Sequence, residues 1–277
     1  MNNTDITIIE PKRRLQDVLN FKRIYRYKDL FFELTLKDIK LRYKQTVVGV
    51  LWAIFQPLIS TFIFTLFFGI LIKIPTDGLP YPVFVYCGLM FWNFFSNSLT
   101  SSSGSLVGNE SLIKKIYFPR IIIPLSSIGI NLFDFGITFI FFIILCLFYK
   151  IYISPLFIFG FLSALLLAVL VTLGSGLFLA ALNVKYRDVR HVLPFFIQVL
   201  IFVTPVIYPV SIISSSHRWL LSLNPLTTCI DVVRKLIVGQ NDFDWVNIVI
   251  SFLVMVVIFI VGIIYFSKTE DSFADNI

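Results

Sequence analysis

Six apolar runs, each about long enough to cross a lipid bilayer, constrain this chain more than any other feature. An α-helix needs roughly 20 apolar residues to cross a hydrocarbon core of about 30 Å. The chain is 57% hydrophobic and 14% charged, whereas soluble domains contain about 25% charged residues. The runs cover residues 47–72, 83 into the serine-rich stretch 96–105, 121–148, 155–182, 193–213 and 246–266. The sequence therefore predicts an all-α polytopic membrane protein with six transmembrane helices.

Two shorter apolar pieces lie between the fifth and sixth runs. They are WLLSL at 219–223 and CIDVVRKLIVG at 229–239, and Asn224 and Pro225 interrupt the sequence between them. Neither piece is long enough to cross a bilayer. Such segments are tolerated at membrane depth only when they pack in protein or face water. We predict two short helices that are re-entrant or interfacial.

Lysine and arginine residues are concentrated on one side of the predicted bundle. The segment before the first span, loops two-three and four-five, and the end of the chain contain 18 of the 23 basic residues. Because cytoplasmic loops carry the excess of basic residues, both termini are predicted to be cytoplasmic. The domains expected are a cytoplasmic N-terminal segment at 1–45, a six-span transmembrane domain at 46–266 and a cytoplasmic tail at 267–277.

The segment that begins at Tyr27 predicts an amphipathic helix with two apolar stripes on opposite sides. One stripe contains Phe32, Leu36, Ile39 and Tyr43, and the other contains Leu30, Leu34 and Leu41; Lys37, Lys40 and Lys44 lie on one flank, and Asp38 and Arg42 on the other. Two apolar faces indicate a helix held between the membrane portion and a partner protein. The alternative is an anchor helix that lies at the lipid headgroups.

The motifs of several enzyme classes are absent from the sequence. It contains no GxxxxGK[ST] loop for the phosphates of ATP. His191 and His217 lie on opposite sides of the predicted membrane, and no nucleophile–base pair has catalytic spacing. The cysteines Cys87, Cys146 and Cys229 are far apart and are expected to be buried, inert thiols. We therefore predict a chain that is not an enzyme.

One acidic residue, Asp134, lies inside the predicted spans. With Asn131 one turn earlier, it either lines a water-filled path or hydrogen-bonds a neighbouring helix for assembly. Ion-coupled carriers normally use several buried acids as relays. A single acid therefore gives an ion-coupled secondary carrier little support, and the energy for any transport is expected to come from elsewhere.

Five blocks of sequence, in order, resemble a known family. They are LRYKQTVVGVLWAIFQPL (41–58), SLIKKIYFPRIIIPL (111–125), NVKYRDVRHVLPFF (183–196), TPVIYP (204–209) and NPLTTCIDVVRKLIVG (224–239). The resemblance is to the permease subunit of bacterial ABC exporters for O-antigen, capsular polysaccharide or teichoic acid, the Wzm type of the ABC type-2 class. It extends from about Leu34 to the end of the last span.

This resemblance implies a homodimer in the bacterial cytoplasmic membrane, served by two copies of a separate ATPase subunit. ATP and Mg²⁺ would be held by that partner, and no cofactor by this chain. The amphipathic segment would be an interface helix between membrane and ATPase, and the loop around Glu110 the main coupling element. The residues implied in ATPase coupling are Lys37, Asp38, Lys40, Arg42, Tyr43, Asn109, Glu110, Ser111, Leu112, Tyr186, Arg187 and Asp188. The alternatives are a solvated turn at Glu110 and local helix-end contacts for Arg187 and Asp188.

The family moves glycans linked to undecaprenyl diphosphate through a central channel. Aromatic and amide side chains suit a sliding sugar polymer. The expected path residues are Trp52, Phe55, Gln56, Phe91, Trp92, Asn93, Asp134, Tyr208 and Arg234. Aromatic residues in spans also face lipid or lie in interfacial belts. Arg234 and Lys235 either hold a diphosphate or acidic sugar, or pair locally with Asp231 or Asp242.

The serine-rich end of the second span has two interpretations, which are close helix approach and a wet lining. For the whole chain, the sequence favours the transmembrane subunit of an ATP-driven polysaccharide exporter. The alternatives are a type-2 ABC permease for another lipid or a drug, an ion-coupled secondary carrier, and a membrane enzyme that modifies lipid-linked sugars.

Overall fold

A computed structural model describes residues 25–44, 49–152, 154–240, 242–270 and 273, and every regular element in this part of the chain is helical. The α-helices are α1 Lys28–Lys44, α2 Gly49–Phe64, α3 Tyr81–Gly108, α4 Glu110–Lys115, α5 Ile122–Phe148, α6 Pro155–Lys185, α7 Val189–Val203, α8 Arg218–Ser222, α9 Pro225–Val238 and α10 Trp245–Thr269. A π-helical stretch, Thr65–Leu71, extends α2. The all-α prediction is confirmed. Residues 1–24 and 274–277, parts of the predicted N-terminal segment and tail, lie outside the described residues.

Within the described residues, four helical segments are long and apolar enough to cross a membrane: Ile54–Leu71, α5, α6 and α10. The second predicted span corresponds to α3, which has 28 residues but ends in its polar serine stretch. The fifth predicted span corresponds to α7, which has 15 residues and ends at Val203, well before Ile213. The chain is thus a multi-pass membrane protein, and the six-span count stays a prediction.

Local sequence signals set several of the helix ends. Ser154 precedes Pro155, and its side chain accepts a hydrogen bond from the Leu156 N–H, so α6 begins with a capped first turn. Asn224 caps α9 in the same way. Gly239 ends α9 with φ +77°, a left-handed conformation that glycine adopts without steric cost. The two short helices predicted after the fifth run correspond to α8 and α9.

Helix α3 lies at the centre of the bundle, where it packs against α5, α6 and α9. Its residues from Val83 to Met90 are buried. Phenylalanine rings join the neighbouring helices, with Phe139 and Phe161 stacked at 4.2 Å between centroids. Phenylalanine rings therefore form part of the core of the bundle.

A second, smaller apolar cluster lies at the end of the bundle that holds α1 and α4. It contains Leu106 of α3, Ile113 of α4 and Phe266 of α10, with Leu30 and Leu34 of α1 packed against it. The first and last described helices therefore meet at one end. Helix α10 continues past Phe266 to Thr269, so the predicted start of the tail lies inside a helix.

The residues after α10 remain attached to this end of the bundle. Glu270 is 4% exposed, and one of its carboxylate oxygens accepts the Arg120 N–H at 3.1 Å. The Arg120 guanidinium donates to the Glu270 carbonyl oxygen. Phe273 is also buried, with its ring 5.3 Å from that of Phe266. These contacts join the end of α10 to the segment between α4 and α5.

Candidate functional site

The amphipathic helix α1 is attached to the side of α5 by a polar cluster around Asp134. The Asp134 carboxylate accepts hydrogen bonds from the Arg42 guanidinium and the Tyr43 hydroxyl. Arg42 also donates to the amide oxygen of Asn131 at 3.4 Å. The Asn131 amide nitrogen donates to Ser101 on α3 at 2.7 Å. Of the two interpretations of Asp134, this arrangement favours assembly between helices over a water-filled path.

The docked face of α1 combines Leu30 and Leu34, from one of the predicted apolar stripes, with residues outside both stripes. Thr35 is buried, whereas Phe32 and Leu36 are 57% and 46% exposed. A Cβ atom built on Gly129 of α5 would lie 3.2 Å from both Phe31 and Thr35, so this glycine permits the close approach. The contact is centred on Phe31, Thr35 and Arg42. The exposed Phe32 and Leu36 leave one apolar face for lipid or a partner.

Burial raises the pKa of two side chains on α1. Burial raises the pKa of the Asp38 carboxyl, against the opposing effects of Lys37 and Arg42. The protonated Asp38 carboxyl therefore favours the docked state. Its contribution to stability is lost as the pH rises through the raised pKa. Burial, with the hydrogen bond to Asp134, raises the pKa of the Tyr43 hydroxyl. Tyr43 therefore stays a hydrogen-bond donor at neutral pH.

The predicted coupling loop contains the short helix α4, which is directly joined to α3. The Asn109 amide nitrogen donates to the Ser105 carbonyl oxygen at 2.9 Å, and Ile113 is buried in the second apolar cluster. Leu112 is half-buried, whereas Glu110 and Ser111 are exposed. The loop is therefore an ordered element with one side packed on the bundle and one side open.

The charge of Arg187, in the second predicted coupling segment, acts on Glu110 of α4. The Lys114 ammonium, which donates to Glu110 at 2.6 Å, lowers the pKa of this carboxyl, and the guanidinium of Arg187 acts in the same direction. Tyr186, Arg187 and Asp188 are exposed, and Asp188 makes no side-chain capping bond to α7. Both of these predicted coupling segments therefore lie at the same end of the bundle.

The predicted path residues do not form one cluster. Phe55 and Gln56 of α2 are exposed, and the side chain of Trp52 lies outside the described part. Phe91 is buried, with its ring 5.4 Å from that of Phe135. Asn93 is half-buried. Core packing accounts for Phe91 by itself, and its role in a substrate path stays a prediction.

A groove of 340 Å³ runs between α3 and α7. Its lining combines an aromatic ring with amides and hydroxyls: Trp92, Ser96, Asn97, Thr100, Pro194, Ile197, Gln198 and Ile201. Trp92 was predicted, whereas Asn97, Thr100 and Gln198 were not. The signal for them was available, because Ser96 and Thr100 lie one helical turn apart and Gln198 interrupts an apolar run.

At the serine-rich end of α3, the structure shows the close helix approach that was one of its two interpretations, and the wet lining stays a prediction. Ser102 and Ser103 are buried against α6, where a Cβ atom on Gly176 would lie 2.9 Å from the Ser102 hydroxyl. The Asn183 amide nitrogen donates to the Ser103 carbonyl oxygen at 2.9 Å. These serines allow close helix approach. Ser96 instead lines the groove.

Two further path candidates hold the backbone where the chain leaves α7. The Tyr208 hydroxyl donates to the carbonyl oxygens of Phe202 at 3.1 Å and Val203 at 3.3 Å. Arg234 is 6% exposed and donates to carbonyl oxygens of Pro205 at 2.6 Å, Val206 at 2.7 Å and Phe84 at 2.8 Å. Its guanidinium also lies 3.4 Å from the centroid of the Phe84 ring.

These bonds favour the local, structural interpretation of the basic pair in α9. Lys235 pairs with Asp231 at 3.1 Å, which is the local pairing that the sequence offered as an alternative to ligand binding. Arg234 has three carbonyl oxygens as partners, so its arrangement requires no anionic ligand. Contact of Arg234 with substrate stays a prediction.

Replacing Arg234 with methionine is expected to destabilise the protein by more than about 3 kcal/mol, because a buried acceptor that loses its donor costs about 1–3 kcal/mol and three carbonyls are affected. Thermal unfolding in lipid nanodiscs measures the change. Lys235→Met is the matched control, since a partly exposed ion pair contributes about 0–1 kcal/mol. Equal unfolding temperatures for the two variants would contradict the structural role.

Comparison with known proteins identifies the bundle. Residues 29–238 match the family described as ABC-2 type transporter. The chain belongs to the ABC-2 type transporter family. The resemblance found in the five sequence blocks is thereby confirmed, and the chain is a membrane permease, a transport subunit rather than a catalytic enzyme.

Several relatives within this class are similar to the chain over nearly their whole length. It is 28% identical over 248 residues to the O-antigen export system permease protein RfbA of Klebsiella pneumoniae, across 89% of this chain and 94% of that protein. It is 26% identical over 265 residues to a protein of the same name from Myxococcus xanthus, across 92% and 98%. It is 24% identical over 243 residues to the polysialic acid transport protein KpsM of Escherichia coli, across 86% and 93%.

Proposed function

We propose that this permease is the transmembrane subunit of an ATP-driven exporter that moves lipid-linked polysaccharide across the bacterial cytoplasmic membrane. The observation that carries the proposal is the nearly full-length similarity to permeases named for O-antigen export and polysialic acid transport. The exported polymer is an O-antigen, a capsular polysaccharide or a teichoic acid, carried on undecaprenyl diphosphate.

In the working complex, two copies of the permease associate with two copies of a separate ATPase subunit that holds ATP and Mg²⁺. The end of the bundle with α1 and α4 faces the cytoplasm, as the basic residues indicate. The six spans are α2, α3, α5, α6, α7 and α10, and α8 and α9 are re-entrant. Burial of Leu226, Cys229 and Ile230 supports this for α9, because a re-entrant segment must pack in protein or face water.

Coupling to ATP hydrolysis uses α1, α4 and the segment around Arg187. Helix α4 follows α3 after Asn109, whose side chain donates to the Ser105 carbonyl oxygen of α3, and α1 is bonded to α5 through Asp134. A short element held in a moving partner transmits the partner's closure as a rigid body. Movement of α1 would therefore displace α5, and movement of α4 would displace α3. Helix α3 forms one wall of the groove.

The groove between α3 and α7 supplies surface suited to a sugar polymer. Trp92 offers a ring for the apolar faces of sugars, and Asn97 and Gln198 offer amides for their hydroxyls. Facing grooves in two subunits would give the polymer weak, repeated contacts. Ion coupling is not favoured, because the acid available for a relay, Asp134, is bonded to Arg42 and Tyr43.

Substitutions in α4 test the proposal in a complex of the permease with its ATPase. Glu110→Ala and Leu112→Ala are expected to lower the rate of glycan export by about 5- to 150-fold, the range of typical coupling energies of about 1–3 kcal/mol. ATP hydrolysis is measured in parallel, and it should continue without export. The fold is expected to tolerate Glu110→Ala, because an exposed i,i+4 pair on a helix contributes little.

Tyr152→Ala is the control for these variants, since its side chain is 82% exposed at the opposite end of the bundle. Export should be unchanged in this variant. If no ATPase associates with the permease and transport follows a proton gradient, the proposed function is wrong.

A further inference from the structure

A cavity of 390 Å³ lies between the amphipathic helix α1 and the bundle helices α3 and α5. All three helices contribute to its lining, which consists of Asp38, Leu41, Arg42, Ser101, Ser127 and Ile130. Ligand sites in proteins typically have volumes of about 300–1,000 Å³, so a small polar group fits here. The cavity shares no lining residue with the groove between α3 and α7, and it is therefore a separate place on the molecule.

Asp38 brings an acidic group to this cavity without a partner for it. Within the part of the chain that the structure describes, its carboxylate makes neither a hydrogen bond nor an ion pair, although Lys37 and Arg42 act on it from further away. Burial raises the pKa of this carboxyl, so the docked state disfavours the charged form. Charges removed from water in folded proteins are normally paired. A cation in the cavity would supply the pair.

Two serine hydroxyls in the lining offer acceptors. The Ser127 hydroxyl donates to the Ile123 carbonyl oxygen at 3.2 Å, and the Ser101 hydroxyl donates to the Asn97 carbonyl oxygen at 2.7 Å. A hydroxyl has one proton and two acceptor lone pairs, so these two groups have used their protons and retain acceptor capacity. An ammonium group has three N–H donors and no acceptor, which suits such a lining. A quaternary amine such as choline has no N–H donor.

Arg42 supplies the positive charge of the lining. Its guanidinium donates to Asp134 and Asn131, and its side chain remains 41% exposed. Because Asp134 already balances the charge of Arg42, the cavity does not favour a ligand that is only anionic, such as a diphosphate. A zwitterion is suited to it, with an ammonium at Asp38 and a phosphate toward Arg42.

An exposed apolar stripe on α5 indicates where such a zwitterion comes from. The stripe contains Phe133, Ile140 and Ile144, which lie on one side of the helix and are 47%, 59% and 53% exposed. It begins three residues after Ile130 of the cavity and extends for about 16 Å at 1.5 Å per residue. This length is comparable with half of a hydrocarbon core of about 30 Å. Because α5 is long and apolar enough to cross a membrane, the stripe suits acyl chains and favours a lipid over a soluble ligand.

We propose that this cavity binds the headgroup of a phospholipid with a primary amine, a phosphatidylethanolamine, whose acyl chains lie along the stripe on α5. The lipid ammonium donates to Asp38 and the two serines, and the lipid phosphate lies toward Arg42. The bound lipid strengthens the docking of α1, because it pairs the charge of Asp38. This site is additional to the proposed function, and lipid binding depends on neither ATP nor a polysaccharide.

Lipid binding is measured by native mass spectrometry on the full-length permease in detergent micelles, titrated with dioleoyl phosphatidylethanolamine, phosphatidylcholine or phosphatidylglycerol. The first phosphatidylethanolamine is expected to bind about tenfold more tightly than either of the other lipids, because it alone donates N–H groups to a charged acceptor. Glycerophosphoethanolamine, the same headgroup without acyl chains, should bind much more weakly, since it leaves the apolar stripe uncovered.

Substitutions of Asp38 locate the preference at this cavity. Asp38→Asn should remove the preference for phosphatidylethanolamine, and Asp38→Lys should shift it to phosphatidylglycerol, because a lysine repels the ammonium and attracts the phosphate. Asp38→Asn is expected to fold normally, since it removes a half-buried charge and no ion pair among the described residues. Glu33→Gln is the matched control, because it removes an exposed acid from α1 outside the cavity. It should leave the lipid preference unchanged.

The outcomes separate this proposal from the proposed function. Equal affinities for the three lipids, equal preferences in Asp38→Asn and Glu33→Gln, or equally tight binding of glycerophosphoethanolamine would overturn the lipid site, even if ATP-driven export is intact. Weaker association with the ATPase in Asp38→Asn, without a change in lipid preference, would overturn it as well and assign Asp38 to the partner protein. A preference for phosphatidylethanolamine that Asp38→Asn removes would support the site, even if no ATPase associates and the proposed function fails.

Discussion

Replacing Asp134 with leucine is expected to release α1 from α5 and to stop coupled export. The substitution removes the acceptor of both Arg42 and Tyr43. Hydrogen bonds to charged groups contribute about 1.5–3 kcal/mol each, and the pair is only partly exposed, so the equilibrium constant for docking of α1 on α5 should fall at least tenfold. Trypsin cleavage at Lys37, Lys40 and Lys44 measures the release of α1, and export with the ATPase present measures its consequence.

A charge exchange provides the rescue for this experiment. Asp134→Arg combined with Arg42→Asp restores an ion pair of opposite direction, and it should recover part of the protease resistance that either single change loses. Arg26→Asp is the control, because this exposed residue precedes α1. If Asp134→Leu leaves both cleavage and export unchanged, the Asp134 contact does not hold the interface helix.

The positions of most helices follow from short-range signals in the sequence. Long apolar runs predict membrane helices because the backbone must satisfy its own hydrogen bonds in lipid. Pro155, Pro225 and Gly239 mark ends that the structure confirms. The end of α7 was also predictable. Thr204 precedes Pro205 and is extended with ψ 131°, as residues before proline prefer, so the helix ends at Val203 rather than continuing to Ile213.

Only part of the docking face of α1 was predictable from periodicity. One apolar stripe contributes Leu30 and Leu34, but the contact with α5 forms where Gly129 leaves space and where Asp134 meets Arg42. Gly129 and Asp134 lie more than 90 residues further along the chain. A hydrophobic pattern indicates which residues avoid water, but not where a distant helix has a glycine that permits close approach. The partners of Asp134 were not predictable for the same reason, because they come from α1 through this tertiary contact.

Candidate site residues in a contiguous motif could be predicted from the sequence, whereas those that depend on contacts between helices could not. Glu110 and Ser111 lie on the open side of α4, as a contiguous loop motif indicates. Whether a residue lines the substrate path depends on which side of its helix faces a neighbouring helix. The flanking sequence is apolar, so it gives no signal for that side. Phe91 and Trp92 are adjacent in sequence and both buried, yet only Trp92 reaches the groove. Composition alone does not distinguish the two.

Replacing Gly262 with alanine is expected to prevent stable packing of α10 on α6. A Cβ atom at Gly262 would lie 2.1 Å from the carbonyl oxygen of Gly174, and one at Gly174 would lie 2.6 Å from the Cα of Phe259. Because these neighbours are backbone atoms, no rotamer change relieves the overlap and the two helices must separate. Overpacking commonly costs about 1–3 kcal/mol, and separation of two backbones should exceed that range.

The matched control is Gly136→Ala on α5, where a Cβ atom would meet nothing within 4 Å. In that variant the greater helix propensity of alanine should leave the stability unchanged or raise it by up to about 1 kcal/mol. Thermal unfolding in nanodiscs and the yield of folded protein distinguish the two glycines. If Gly262→Ala unfolds at the same temperature as Gly136→Ala, the close approach of α6 and α10 is wrong. If it unfolds far lower while Gly136→Ala does not, the lack of a side chain at Gly262 is what lets α6 and α10 pack.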